Sequence, residues 1–316
     1  MNFDMSMQLP LIWMALIVGL ALLYVVMGSA SLGVGILLPL IKNQQQRAIM
    51  LKTRKLWPSG ALGLVLASVG LLWAFPQACM ILLSALYFPF LILLLSLITC
   101  KITEKVLYLS VSSWMVAFMQ GVLMGAMLQG LPLENELYVG GFFGWATFFS
   151  FFCGLIAVIG YGVLGASWLI MQTTGDLEKK CFDLSKRLLG IWIGLIGVVS
   201  VFSPWINKTI ALRWFTLPNL AYLAPLPIYT FIFSVIFLFA LKYQKKKLPF
   251  ACALMLLILF FIEITVTVWP YAVPYEITIW QAAAPLASQS SGLNVMLGGV
   301  LIMVSRFFLF RSGEKA

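Results

Sequence analysis

One carboxylate, Glu263, interrupts an otherwise apolar run several residues before Trp269 and Pro270. An ionisable group in a membrane helix is a functional candidate, because hydrocarbon penalises its charge and an acid beside a wet cavity exchanges protons. Two roles fit it: holding a proton for chemistry, or bonding in protonated form to a hydroxyl or carbonyl of a neighbouring helix. Electron-transfer chemistry has fewer candidates. The chain has no histidine, and Cys79, Cys100, Cys153, Cys181 and Cys252 show no Cys-x-x-Cys or other ligand spacing. Metal and haem sites therefore lack their usual donors. The 15 methionines are scattered, as gap-filling thioethers are.

The elements that must position these residues are membrane helices. With 62% hydrophobic and 9% charged residues among 316, the chain cannot bury its apolar surface by folding alone, and a bilayer core needs roughly 20 apolar residues per helix. Charge-free runs predict spans at about 10–40, 59–75, 78–100, 107–130, 140–171, 188–204, 218–241, 248–269 and 287–308. The expected fold is an all-α polytopic membrane protein with nine transmembrane helices, forming a single membrane domain over residues 1–316. Pro76 and Gln77 supply the turn between the second and third spans. The first run follows Asp4 instead of a basic cluster and exceeds a signal-peptide core in length, so a retained helix is expected.

Basic residues set the orientation, since cytoplasmic loops collect Lys and Arg. With a periplasmic N-terminus and a cytoplasmic C-terminus, every Lys and Arg except Lys208 and Arg213 falls in an inner loop or the C-terminal tail. A tenth span between Leu137 and Gly175 would put the later basic loops outside, so one long helix is expected there. The net charge of +10 then describes loops facing an anionic leaflet, not a nucleic-acid site.

Small residues cluster where the first and fifth spans approach the inner face. Gly28, Ser31 and Gly35 share one side of the first, and Gly162 and Ala166 lie four apart on the fifth. Close approach through small side chains is how helices adhere in lipid, within the chain or against another subunit. The parallel placement hints at a four-helix unit repeated, plus a peripheral ninth helix. The fifth span ends in Gln172, Thr173 and Thr174, with Gly175 placed as a left-handed cap and Asp176 and Glu178 favoured by the next helix's positive end. Trp57, Trp73, Trp205, Trp214 and Trp269 fall at expected interfaces, as belt anchors do. The aromatic segment 140–152 is lipid-facing bulk or the lining of a lipid or quinone groove.

The stretch GASWLIMQTTGDL at 165–177 resembles the segment that marks subunit II of the cytochrome bd-type quinol oxidases. LGVGILL at 32–38, MLQGLP at 127–132 and WPYAVPYEITIWQAAAP at 269–285 extend the likeness, in order, over most of the chain. The resemblance implies a heterodimeric respiratory oxidase in a bacterial cytoplasmic (inner) membrane, oxidising quinol and reducing oxygen to water. Haem b, haem d and the quinol-oxidising loop would belong to the partner, subunit I. This chain would be the haem-free subunit II with no catalytic, cofactor or metal residues of its own, alongside a small accessory subunit and a structural quinone or lipid. The motif's cytoplasmic end would be Gln172, Thr173, Gly175 and Asp176.

The sequence also departs from the family. Carboxylates usual in the small-residue stretch of helix one, in a Trp-Asp-Gly-Asn motif and in a Trp-Asp pair are replaced by Gly28 and Ser31, by Trp57-Pro58-Ser59-Gly60, and by Trp280-Gln281. Ser29, Ser31 and Ser59 could hold a water chain in their stead, since hydroxyls both donate and accept; plain packing is the alternative. Two rivals stand beside the oxidase reading. One is a secondary transporter, whose Gly- and Pro-interrupted helices would expose backbone at a midplane site but whose convergent polar residues are wanting, with only Glu263 standing out. The other is a respiratory scaffold paralogue without turnover.

Overall fold

The computed structural model describes residues 5–56 and 60–313, the segment 306–313 by its backbone alone. Among these, eight helices are long and apolar enough to cross a membrane. They belong to α1 (Met5–Leu37), α4 (Pro76–Ile102), α5 (Val106–Gln129), α6 (Phe148–Gln172), α7 (Asp176–Ile206), α10 (Pro225–Lys242) with the short α9 (Asn219–Leu223) before it, α11 (Leu248–Val268) and α12 (Leu286–Gly313). The run expected at 59–75 forms α3 (Ala61–Ala74), a shorter apolar helix that alone spans only about 20 Å at 1.5 Å per residue. Phe75 breaks the helix before Pro76 at N1 of α4, where a missing N–H costs nothing.

Two helices come from stretches read as loops. α2 (Gln44–Lys55) opens on Asn43, whose side chain accepts from the backbone N–H of Gln45 and Gln46, and it buries Met50 and Thr53. α8 (Lys208–Phe215) opens on Asn207, which accepts from Thr209 N. α7 begins at Asp176, twelve residues before the expected start, because Leu177, Cys181, Ser185, Leu189 and Trp192 repeat at helical spacing on one buried face. Asp176 and Glu178 occupy its first turn.

The long helix expected at 140–171 is shorter. Residues 133–138 form a hairpin of β1 (Leu133–Glu134) and β2 (Leu137–Tyr138), and α6 starts only at Phe148, behind a reciprocal cap between Thr147 and Ser150. Phe142 and Phe143 therefore lie in a loop, where Phe142 packs on Tyr87 and Phe88 of α4 and Phe88 stacks on Trp145. A second hairpin, β3 (Tyr271–Val273) with β4 (Ile277–Thr278), covers the same end between α11 and α12.

The core centres on α6, in which every residue from Gly160 through Ile170 is buried, with α1, α5, α7 and α11 around it. A second apolar cluster joins the first half of α1 to α3, α4 and α12. α1 and α6 touch backbone to backbone: a Cβ on Gly33 would stand 2.0 Å from the Tyr161 carbonyl, and one on Gly165 2.2 Å from the Gly33 carbonyl carbon. Three contacts tie the basic segments together on one face: Lys55 to Glu104 (2.6 Å), Lys180 to Gln46 (3.2 Å) and Lys246 to Glu178 (3.0 Å).

Candidate functional site

Glu263 lies on α11. Its Oε1 accepts a hydrogen bond from Thr230 Oγ1 of α10 at 3.0 Å, and its backbone carbonyl accepts from Thr267 Oγ1 at 2.7 Å. Thr267 Oγ1 in turn accepts from Trp214 Nε1 at 2.9 Å, while Arg213 Nη1 donates to the Val266 carbonyl at 2.9 Å. These bonds pin α8 across the end of α11, so the two cationic residues outside the basic face belong to a helix that roofs the acid.

Beneath α8 is a cavity of about 540 Å³, walled by α5, α6, α7, α10 and α11. Its lining is mainly apolar, and Glu263 supplies its carboxylate. Gln120 of α5 and Tyr161 of α6 also reach it. Gln120 Oε1 accepts from the Tyr161 hydroxyl, and Gln120 Nε2 donates to the Tyr24 hydroxyl of α1. A mid-membrane amide thus joins three helices through two phenols that would otherwise lack partners in hydrocarbon. An apolar chamber with a few convergent polar groups is the usual form of a small-molecule site. The polar residues at the cavity therefore exceed the lone Glu263 that sequence reasoning found; the overlooked signal was Gln120, an amide in the middle of an apolar run.

The other singled-out residues lie elsewhere. Ser29 is buried and donates to the Val26 carbonyl of its own helix at 2.7 Å, and Ser31 is half-buried. Neither lines the cavity. Ser59 and Trp57 lie outside the described residues. Gly28 meets nothing nearer than Leu32 Cδ1 of α1, at 3.6 Å, so the tight crossing of α1 falls at Gly33, not there. Gly35 abuts Ser113 of α5, Gly162 faces Leu188, and Ala166 is fully buried. Gln172 ends α6 and is exposed, whereas Thr173 is buried and bonds back to the Leu169 carbonyl. Gly175 has φ +75° but ψ −141°, an extended glycine-only conformation at the N-cap of α7 instead of a left-handed C-cap of α6; Asp176 follows as the first helical residue.

The chain lacks histidine, its five cysteines are each buried and unpaired, and no cluster of three His, Cys, Asp or Glu exists among the described residues. The class defined by fold and site is accordingly a multi-pass helical membrane protein with a largely apolar, partly open cleft that reaches Glu263.

The family model described as cytochrome bd terminal oxidase subunit II matches residues 9–103 and 105–312. The chain belongs to that family. It is 22% identical to cytochrome bd-I ubiquinol oxidase subunit 2 of Escherichia coli (strain K12), over 96% of this chain and 92% of that protein. It is 20% identical to cytochrome bd ubiquinol oxidase subunit 2 of Bacillus subtilis, covering 75% and 72%. A probable cytochrome oxidase subunit 2 of Haemophilus influenzae is 29% identical, but that match spans only 60% of this chain and 56% of the relative. The fold resembles a chain in the structure of bd oxidase from Geobacillus thermodenitrificans, with a TM-score of 0.75 at 18% identity over 96% of this chain and 98% of that one.

Proposed function

We propose that this chain is the haem-free subunit II of a quinol:oxygen oxidoreductase, supporting the assembly and stability of a subunit I that carries haem b, haem d and the quinol-oxidising site. The observation that carries the reading is a subunit II family match over nearly the whole chain, in a sequence without a histidine to ligate haem. Nine spans, arranged as two four-helix units and a peripheral helix, complete the proposal, with α3 as the short second span. The N-terminus is periplasmic and the basic face cytoplasmic, in a bacterial inner membrane, as the positive-inside rule requires.

Within this chain the chamber beneath α8 accommodates a structural quinone or a lipid tail. Glu263 and the Gln120–Tyr161 pair, which line the same cavity, offer a polar head group hydrogen bonds. Glu263 holds a proton at Oε1 or Oε2 beside Thr230 and exchanges it with water in the chamber. Purification with native neighbours tests the assignment. A stoichiometric haem-bearing partner and quinol-driven oxygen uptake are expected, with all haem on the partner after the subunits are separated. The convergent polar groups at the chamber favour one second reading, a carrier of a small solute. Haem-free solute uptake by the isolated chain in vesicles would support it, and assembly without turnover would instead identify a respiratory scaffold.

A further inference from the structure

The residues that line the cavity at Glu263 and are themselves exposed mark where it meets the outside. They are Ser200 on α7, Phe215 and Leu220 on the α8–α9 stretch, and Pro227 and Ile228 on α10. The mouth therefore lies between α7 and α10. Beyond Trp192, α7 buries only Val199, and the buried residues of α10, Ser234, Phe237, Ala240 and Leu241, all fall in its second half. Each helix is thus packed near the basic face and bare towards α8, where the mouth opens.

Both helices are long and apolar enough to cross a membrane. α7 ends at Ile206, before the polar Asn207 and Lys208, and Ser200 stands about 9 Å from that end at 1.5 Å per residue. That is inside the roughly 15 Å hydrocarbon depth of one leaflet, so the mouth faces hydrocarbon and not water. Within the cavity, Glu263 Oε1 accepts from Thr230, and Oε2 has no hydrogen-bond partner among the described residues. No Lys or Arg among those residues lines the cavity, and Glu263 forms no ion pair. A phosphate head buried there would lack a countercharge, which is costly. An uncharged head with a hydroxyl or carbonyl escapes that penalty and finds a hydrogen bond at Glu263.

We propose that the gap between α7 and α10 is a lateral portal, through which an uncharged amphiphile dissolved in the leaflet opposite the basic face enters the cavity. Its head reaches Glu263 and its tail stays in the gap. The inference rests on the reading of the cavity as a quinone or lipid-tail site and adds the route and the head-group charge. A quinone and a neutral glycerolipid share the required chemistry.

Carbodiimide labelling of Glu263, located by peptide mass spectrometry, tests the route in membranes carrying the intact complex and in membranes carrying the full-length chain alone. Membrane-soluble dicyclohexylcarbodiimide should label Glu263 at least tenfold faster than a water-soluble carbodiimide. Decylubiquinone or dioctanoylglycerol should protect it saturably, and whichever protects at lower concentration identifies the source; phosphatidylglycerol should not protect. S200W/I228W, and I228W to a lesser degree, should slow labelling severalfold or more, whereas V198W, on an exposed part of α7 that does not line the cavity, should label as wild type does. Equal labelling by the water-soluble reagent would make the site aqueous and overturn the proposal. So would protection by neither uncharged amphiphile, equal protection by phosphatidylglycerol, wild-type labelling in both portal variants, or labelling of the chain alone that is lost in the complex, which would make the gap a subunit interface. Copurification of a haem-bearing partner from the same membranes scores the subunit II assignment separately, so the two can fail independently.

Discussion

At the residue scale, Gln120 and Glu263 each act with a partner on another helix. Gln120 satisfies Tyr161 with its oxygen and Tyr24 with its nitrogen, so Gln120→Leu leaves two buried phenols short of a partner and should cost about 1–3 kcal/mol. A lowered melting temperature of the purified chain, with helical content unchanged, is the expected result. Glu263→Gln keeps an acceptor for Thr230 while removing the exchangeable proton. We expect normal assembly and slowed quinol-driven oxygen uptake; uptake at the wild-type rate would leave Glu263 with a structural role only. Outside the membrane, Tyr275 donates to the Leu128 carbonyl at 3.0 Å, and burial pushes its phenol up to about 12. Raised in the folded state, this group contributes stability that is fully present below the ordinary tyrosine value near 10 and declines as pH rises through about 12. Ultraviolet titration of wild type against Tyr275→Phe should lose one late-titrating phenol. Glu104 is held below the usual carboxylate range by its bond to Lys55. Any stability it contributes is lost as pH falls through that lowered value, and full exposure keeps the effect small.

At the element scale, close crossings decide which glycines matter. Gly33 and Gly165 bring α1 and α6 into backbone contact, whereas Gly28 faces only Leu32 of its own helix. Gly165→Val should therefore prevent normal packing and abolish a monodisperse peak in detergent chromatography, while Gly28→Ala elutes as wild type does. Here the sequence was legible in part. The runs at 107–130 and 248–269 became α5 and α11 with bounds displaced by only a residue or two, because uniform apolarity marks a span. α2 and α8 were not legible, since a short helix on a membrane face draws its stability from what it covers, not from its own pattern. The segment at 140–147 read as span because glycine and phenylalanine are apolar, yet Gly141 at φ +70° and the Thr147 cap make it a loop.

At the scale of the whole molecule, α6 is the axis and the basic loops meet on one face. Lys55–Glu104, Lys180–Gln46 and Lys246–Glu178 close that face as a belt of cross-loop contacts. If that face is cytoplasmic, cysteines introduced at Gln45 and Gln244 in a background lacking the native cysteines react with an impermeant thiol reagent only in inverted vesicles; reaction from the periplasmic side would reverse the orientation. The opposite end carries both hairpins and α8, which contributes to the wall of the cavity at Glu263.

The amino-acid sequence by itself determined that this protein lives in a membrane, where most of its long apolar helices run, and which family it resembles. Each follows from local composition, since a transfer free energy sums residue by residue and ordered motifs are linear. The tertiary structure decided what lies next to what. It brought Glu263, Gln120 and Tyr161 to the lining of one cavity, left Ser29 on its own helix, and moved the tight crossing from Gly28 to Gly33. Those outcomes depend on helix rotation and tilt, and in a chain apolar on every face no hydrophobic periodicity marks the side that will be buried.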